Sequence, residues 1–365
     1  MRHRFHALCP YFAMFPETFA EKWIEELTKP DDLVLDPFCG RGTTGLSALL
    51  LERRAISSDV NNVAYCVTRA KTSPPTLATL RRRIHQLEAG YSSKYWKSKA
   101  RQMPAFFHAA YAVSTLAQLL YLRSVLRWQK SSTDAMVGAL VLGSLHGETK
   151  TSTAYFSNQM PRTISTKPTY SIKYWNKHRM FPPERDAFEL LLARAKFRYQ
   201  SGRPSGVALT LQSDIRDLPR KKHRFQGPIK CVITSPPYLD VTDFQEDQWL
   251  RLWFLGGPTA PRTGGRTNDD RHRSTDTYWR FICDTWRSLG AIVARNSNVV
   301  IRLGSRRTEP DELITLLNAS TRVAGRRVEL VSCEVTELRK RQTDNFRPGS
   351  KGCAFEVDCH FHLPG

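Results

Sequence analysis

Two stretches of this 365-residue chain carry side chains whose types and spacing could do chemistry. One is DPFCGRGTT, Asp36 to Thr44, behind the apolar triplet Leu33–Leu35; the other is TSPPY, Thr234 to Tyr238, behind Cys231–Ile233. In the first, Gly40 and Gly42 let backbone pass close to a ligand where a Cβ would collide. Asp36, at the end of the predicted strand, can meet an ammonium group or a ribose hydroxyl. In the second, Pro236 and Pro237 fix φ and remove two donors, so the local carbonyls can point outward. Ser235 and a proline carbonyl can then accept both hydrogens of an exocyclic amine, which makes its nitrogen more nucleophilic. Tyr238 offers a ring face on which a base could stack. A base inside a duplex cannot reach such a pocket and must swing out, at a cost of a few kcal/mol.

The first motif also excludes ligands. No Lys follows its second glycine, which argues against a triphosphate cradle, and it falls short of the three-glycine dinucleotide fingerprint. What fits is a nucleoside with an amino-acid tail and no pyrophosphate, namely S-adenosylmethionine. Asp59 lies 19 residues beyond Gly40, about the distance at which such folds place an acid on the ribose; a helix N-cap is the plainer role for it. Asp214 ends the next candidate strand and could accept from an adenine amino group, with Asp217 as its competitor.

These residues need strands to hold them. Strand patterns occur at Leu33–Leu35, Ala55–Ser57, Val207–Leu211, Lys230–Thr234, Asn298–Leu303, Arg327–Val335 and Ala354–Leu363, with helical spacing after the first two. The order predicts an α/β fold: a Rossmann-like seven-stranded sheet with helices on both faces. TSPPT (Thr72–Thr76) interrupts the pattern, and helices are expected at Thr76–Ala89, Ala105–Trp128, Asp134–Leu145 and Pro183–Tyr199. We therefore read one domain from residues 1–71 and 206–365, with a mostly helical insertion at 72–205.

Charge follows the same division. The chain carries 55 Lys and Arg against 34 Asp and Glu, a net +21. The insertion holds 21 basic and 6 acidic residues, +15 of that excess. Such a surplus favours a polyanion and salt-dependent binding of phosphate backbones. Aromatic residues are mixed with basic ones in YSIKYWNKHRMF, Tyr170 to Phe181, as on surfaces that grip nucleic acid. The eight cysteines form no C-x-x-C pair, which predicts reduced thiols, a cytoplasmic setting and no zinc site. The start shows no signal peptide, and no apolar run is long enough to span a bilayer.

Taken together, FAMFPETFAEKWI (Phe12–Ile24), VLDPFCGRGTT (Val34–Thr44), SSDVNN (Ser57–Asn62), LQSDI (Leu211–Ile215) and TSPPY resemble the amino-methylating DNA methyltransferases. Those enzymes modify cytosine N4 or adenine N6. The resemblance implies S-adenosylmethionine contacts at Phe15, Pro16, Asp36, Phe38, Gly40, Thr43, Asp59 and Asp214, with Pro37, Gly42 and Thr44 inside the same motif. It implies catalysis by Ser235, Pro236 and Tyr238, with Pro237 between them. Serine in first place is similar to the N4-cytosine members, so cytosine is the expected base and adenine the alternative. Double-stranded DNA is the expected partner, with a cognate restriction endonuclease as a further candidate. The insertion is the candidate target-recognition region.

The chemistry implies no metal. A 5-methylcytosine enzyme would need a cysteine after proline, and no proline here is followed by one. An RNA amino-methyltransferase on the same fold stays open, as does a binding protein with a relic pocket. Asp243, Asp247 and Trp249 are expected to begin a helix behind the catalytic loop, packed down by Trp249, Leu252 and Trp253. Asp243 is a further candidate near the site, and Thr263–Ser274 is expected to be a loop that closes over DNA. His146, His223 and His272 are expected to be structural.

Overall fold

A computed structural model describes residues 2–11, 15–147, 154–160, 167–239, 244–261, 274–306, 308–338 and 353–365. The chain begins with α1 (Glu17–Leu27), β1 (Leu33–Asp36), α2 (Thr43–Leu50), β2 (Arg54–Asp59) and α3 (Asn62–Thr72). Seven helices follow: α4 (Leu77–Ala89), α5 (Ser93–Arg101), α6 (Ala105–Ala110), α7 (Val113–Val125), α8 (Ser132–Leu142), α9 (Pro168–Lys177) and α10 (Ala187–Arg198). Then come β3 (Ala208–Gln212), β4 (Ile229–Thr234), α11 (Phe244–Asp247), α12 (Trp249–Phe254) and α13 (Thr275–Ile292). The chain closes with β5 (Val293–Gly304), α14 (Pro310–Ser320), β6 (Glu329–Glu337) and β7 (Phe355–Leu363).

These elements divide into two compact units. The first comprises residues 13–68, 204–242 and 264–365 and holds the seven described strands in one sheet, ordered β3-β2-β1-β4-β5-β7-β6. Strands β1 to β5 pair in parallel, and β7 runs antiparallel between β5 and β6. The strand order reverses between β1 and β4. In open α/β sheets a ligand binds beyond the carboxyl ends of the strands at that point, and DPFCGRGTT and TSPPY leave β1 and β4 there.

Alternation along the strands builds two cores. Leu33, Leu35, Ile56, Val232, Val299 and Ile301 point to one face, against Trp286 and Leu289 of α13 and Leu313 and Leu317 of α14. Val34, Ala55, Cys231, Ile233 and Val300 point to the other, against Phe19, Trp23 and Ile24 of α1 and Ala48 and Leu49 of α2. A strand buried on both faces reads as a continuous apolar run rather than an alternating one, which is why CVI and VVI looked uniform. Burying one such large side chain stabilises the unit by about 1.5–3 kcal/mol. This is the expected α/β, Rossmann-like seven-stranded architecture with helices on both faces.

The second unit comprises residues 1–12, 69–203 and 243–263 and is helical. It therefore includes α12 as well as the central segment. Trp249 and Trp253 of α12 are buried, Trp249 edge-on to Phe106 and Trp253 tilted 4.5 Å from Phe107. The single helix expected over Ala105–Trp128 is two, α6 and α7. Tyr111 between them is extended, and its hydroxyl donates to the Leu145 carbonyl at 2.8 Å, so burial of one ring breaks the helix. Helices α5 and α9 were not anticipated, because few apolar residues mark their inner faces: Ala100 in α5, and Trp175, beside the buried polar Ser171, in α9. Among the described residues no helix is long and apolar enough to cross a membrane.

Candidate functional site

The tips of β1 and β4 are joined by side chains. Thr234 Oγ1 donates to Asp36 Oδ1 at 2.6 Å, and Thr44 Oγ1, on the first turn of α2, donates to the Ile233 carbonyl at 3.2 Å. The site's two motifs, some 190 residues apart, are thus in direct contact. Ser235 follows Thr234 at once, partly exposed; Pro236 is buried and Pro237 exposed.

Asp36 is fully buried, and its Oδ2 has no hydrogen-bond partner. Burial pushes its carboxyl up from 3.8 to about 6, against the Thr234 bond, the nearby Thr44 hydroxyl and the Phe38 N–H, while the Asp59 charge adds to the rise. Pro37 behind it is buried, and Phe38 packs edge-on to Phe281 at 5.3 Å.

The glycine turn is built from inside. Gly40 and Gly42 have φ of 48° and 71°, a left-handed conformation that glycine adopts without strain. A Cβ on Gly42 would lie 2.6 Å from Thr68 Oγ1, so this glycine is required by packing against α3. Gly40 N–H donates to Asp59 Oδ2 at 2.9 Å, and Asp59 Oδ1 accepts from Asn61 N–H at 2.9 Å. Asp59 therefore stands against the turn while also capping its own loop. Thr43 and Thr44 are buried at the start of α2, whose N-cap is Gly42.

Three other expected contacts have partners within the fold. Phe15 is buried in the core, edge-on to Phe19 at 5.0 Å, and its carbonyl meets the turn, accepting from Arg41 Nη2 at 3.4 Å. Pro16 is the exposed N-cap of α1. Asp214 caps the short turn after β3 and is gripped by Arg216 through two contacts, 3.1 and 3.2 Å. Its competitor Asp217 pairs with Arg220.

Tyr238 is not an open platform here. Its half-buried ring lies so close to β5 that a Cβ on Gly304 would come within 2.7 Å of it. Its hydroxyl donates to Glu356 Oε1 at 2.9 Å and accepts from Ser235 Oγ at 3.3 Å. Glu356 Oε2 meets Arg302 Nη1 at 3.2 Å, and Arg302 grips Asp358 with two bonds of 2.6 Å. The guanidinium lies 3.9 Å above the Phe19 ring, a cation–π arrangement.

Sequence reasoning missed Arg41, Arg302, Glu356 and Asp358. A signal was present in FEVDCHFHL, where charged or polar residues alternate strictly with apolar ones. The matching charge in VVIRLG completes the pair only once the β5–β7 register is known.

Asp243, Phe12 and the stretch 262–273, with His272, lie outside the described residues. His146 is buried, its imidazole pushed down to about 4 by burial and by Arg251. His223 is exposed beside the Arg220 carbonyl.

Residues 3–68 match the N6/N4 methyltransferase family, described as DNA methylase. No curated protein sequence matches the chain. Among solved structures, TrmN from Thermus thermophilus is 11% identical with a TM-score of 0.39; the alignment covers 99% of this chain, which spans about half (52%) of that one. The rRNA methyltransferase aviRa from Streptomyces viridochromogenes is 14% identical, with a TM-score of 0.36 over 97% of this chain and 87% of its own. A SAM-dependent methyltransferase from Methanosarcina mazei is 8% identical, with a TM-score of 0.36 over 97% and 99%.

Proposed function

We propose that the protein methylates the exocyclic amine of a base flipped from double-stranded DNA, cytosine N4 being the favoured acceptor, with S-adenosylmethionine as donor. One observation carries the reading: the Thr234–Asp36 bond of 2.6 Å sets TSPPY directly against the glycine-turn motif at the switch point of the sheet. The donor set fits that cofactor. Asp36 offers a buried carboxylate oxygen without a partner for an ammonium group, and Asp59 stands at the Gly40 turn for a ribose. When bound, the cofactor supplies an electrophilic methyl group.

The chain's own residues then position the amine. Ser235 Oγ and a proline carbonyl accept its two hydrogens, and those bonds strengthen as positive charge grows on nitrogen during transfer. The surplus proton leaves afterwards to water, so no strong general base is needed. Held over Gly304, Tyr238 would present its outer face for a base to stack on.

The helical unit supplies a surface suited to a phosphate backbone. On α9, Tyr170, Lys173, Tyr174 and Lys177 share one face, while Ser171 and Trp175 on the opposite face are buried. Tyr170 is 62% exposed and Phe181, just beyond the helix, 84%. Serine in first place of S-P-P-Y supports cytosine over adenine, by the family resemblance.

The test is incubation with labelled S-adenosylmethionine and either plasmid DNA or RNA, followed by digestion and identification of the modified nucleoside. Label in DNA as N4-methylcytosine is expected, and Ser235→Ala should abolish it while cofactor binding survives. Label in RNA alone, or full rate in Ser235→Ala, overturns the reading.

A further inference from the structure

We propose that Glu356 is a positioning residue that fixes Ser235 as a hydrogen-bond acceptor, acting through the Tyr238 hydroxyl. The inference rests on the reading of Ser235 as the residue that meets the amine. A carboxylate can only accept, so Tyr238 commits its one hydroxyl hydrogen to Glu356, 2.9 Å away. The tyrosine oxygen is then the acceptor for Ser235, 3.3 Å away. Having given its only hydrogen inward, Ser235 Oγ turns nothing but lone pairs toward a substrate. An exocyclic amine presents hydrogens, so the two are complementary. The direction of every bond in this relay is set by one carboxylate 121 residues from the serine.

The fold holds that carboxylate firmly. Arg302 reaches Glu356 at 3.2 Å and is itself fixed by Asp358 and by the Phe19 ring. Gly304 pairs with Glu356 across β5 and β7 and leaves the space that the tyrosine ring takes. Among the described residues, the charged and titratable groups around Glu356 are Arg302 from β5, Tyr238 from the catalytic loop and Asp358 from β7 itself. Beyond them, Glu334 of β6 pairs with Asp358 in register and is bound by Lys22 of α1. Burial raises the Glu356 carboxyl above its usual value, against Arg302 and the tyrosine bond. Protonation therefore begins at milder acidity than for a solvated glutamate. It allows Glu356 to donate and so releases the direction of the relay.

The experiment compares the full-length protein with Glu356→Gln and Glu356→Ala. It measures kcat for methyl transfer to DNA across pH at saturating S-adenosylmethionine, where the effect of Asp36 on cofactor affinity does not enter, cofactor Kd by calorimetry, and the 19F resonance of 3-fluorotyrosine at position 238, assigned by its loss in Tyr238→Phe. Glu356→Ala should lower kcat about tenfold to hundredfold, less than the roughly hundredfold to thousandfold cost of removing a group that itself touches the reacting atoms, with cofactor Kd unchanged. Glu356→Gln, whose amide oxygen still accepts from Tyr238, should keep the rate within about threefold but lose the acid limb of the profile. In both variants the Tyr238 phenol should ionise at lower pH than in wild type, because the carboxylate that opposes its ionisation is gone. Wild-type kcat in Glu356→Ala, a retained acid limb in Glu356→Gln, or an unmoved Tyr238 titration overturns the inference. Absence of any transfer by the wild-type protein overturns the proposed function instead, and the Tyr238 titration then decides the contact alone.

Discussion

Thr234 Oγ1 lies 2.6 Å from Asp36 Oδ1 and donates to it, binding the end of β4 to the end of β1 inside a fully buried pocket. The bond satisfies one carboxylate oxygen and leaves the other unpartnered. Asp36 is thus both a structural clasp and a charge kept from water, which neither role alone requires.

That charge makes stability depend on pH. The carboxyl is raised from 3.8 to about 6 in the fold. Its stabilising contribution is present below the lower value and is lost as pH rises through the upper one. A rise of about two units corresponds to about 3 kcal/mol. Asp36→Asn should therefore gain about that much relative to wild type between pH 4 and 7, measured by urea unfolding at both. Cofactor affinity in the wild type should strengthen over the same interval, as the carboxylate becomes available to an ammonium group.

Thr234→Val removes the donor while keeping the shape. It should cost about 1–3 kcal/mol, the scale for an orphaned buried acceptor. It should also push the Asp36 carboxyl higher still, since the threonine bond holds it down. Carboxyl titration by NMR of the labelled side chain checks the direction.

Gly42→Ala would place a methyl 2.6 Å from Thr68 Oγ1 at a φ of 71°. Left-handed strain of about 1–2 kcal/mol and overpacking of about 1–3 kcal/mol should add. The double variant Gly42→Ala/Thr68→Ala should recover the second part and not the first, as chemical denaturation will show.

Asp358→Ala leaves Arg302, a residue only 9% exposed, with Glu356 as its remaining described ionic partner. A broken buried pair costs about 3–5 kcal/mol, whereas replacing both partners by apolar residues is often neutral. Asp358→Leu/Arg302→Met should accordingly melt close to wild type, while Asp358→Ala melts far below it.

Lys173→Ala/Lys177→Ala tests the helical unit. If α9 lies along a phosphate backbone, the slope of log affinity against log salt should fall by about 2, with transfer at saturating DNA unchanged. An unchanged slope on a fluorescent duplex removes this face from the interface.

The sheet was legible because its strands are apolar runs, as in Leu33–Asp36, or alternate between apolar and polar residues, as in Phe355–Leu363, and the seven described strands appear where those patterns fall. The two motifs were legible because glycine and paired prolines restrict backbone in ways few other residues can. What stayed hidden depends on register. Arg302 faces Asp358, and Gly304 faces Glu356, only after two distant strands align antiparallel, and no local spacing encodes that alignment. The posture of Tyr238 was hidden for the same reason, since the acid that holds it lies 118 residues onward. Helix α9 shows a different limit: Pro168 at its first turn is a start signal, but its polar composition gave little periodicity to follow.

The central placing of β7 has a consequence for biosynthesis. This strand leaves the ribosome after β6 yet must slot between β6 and β5, so β6 emerges with no neighbour to pair with. Until translation reaches Phe355, a nascent chain can assemble β1 to β5 and the pocket around Asp36, but Arg302 waits without its acids. The joined tips of β1 and β4 are thus completed first, and the ion-pair network around Arg302 last.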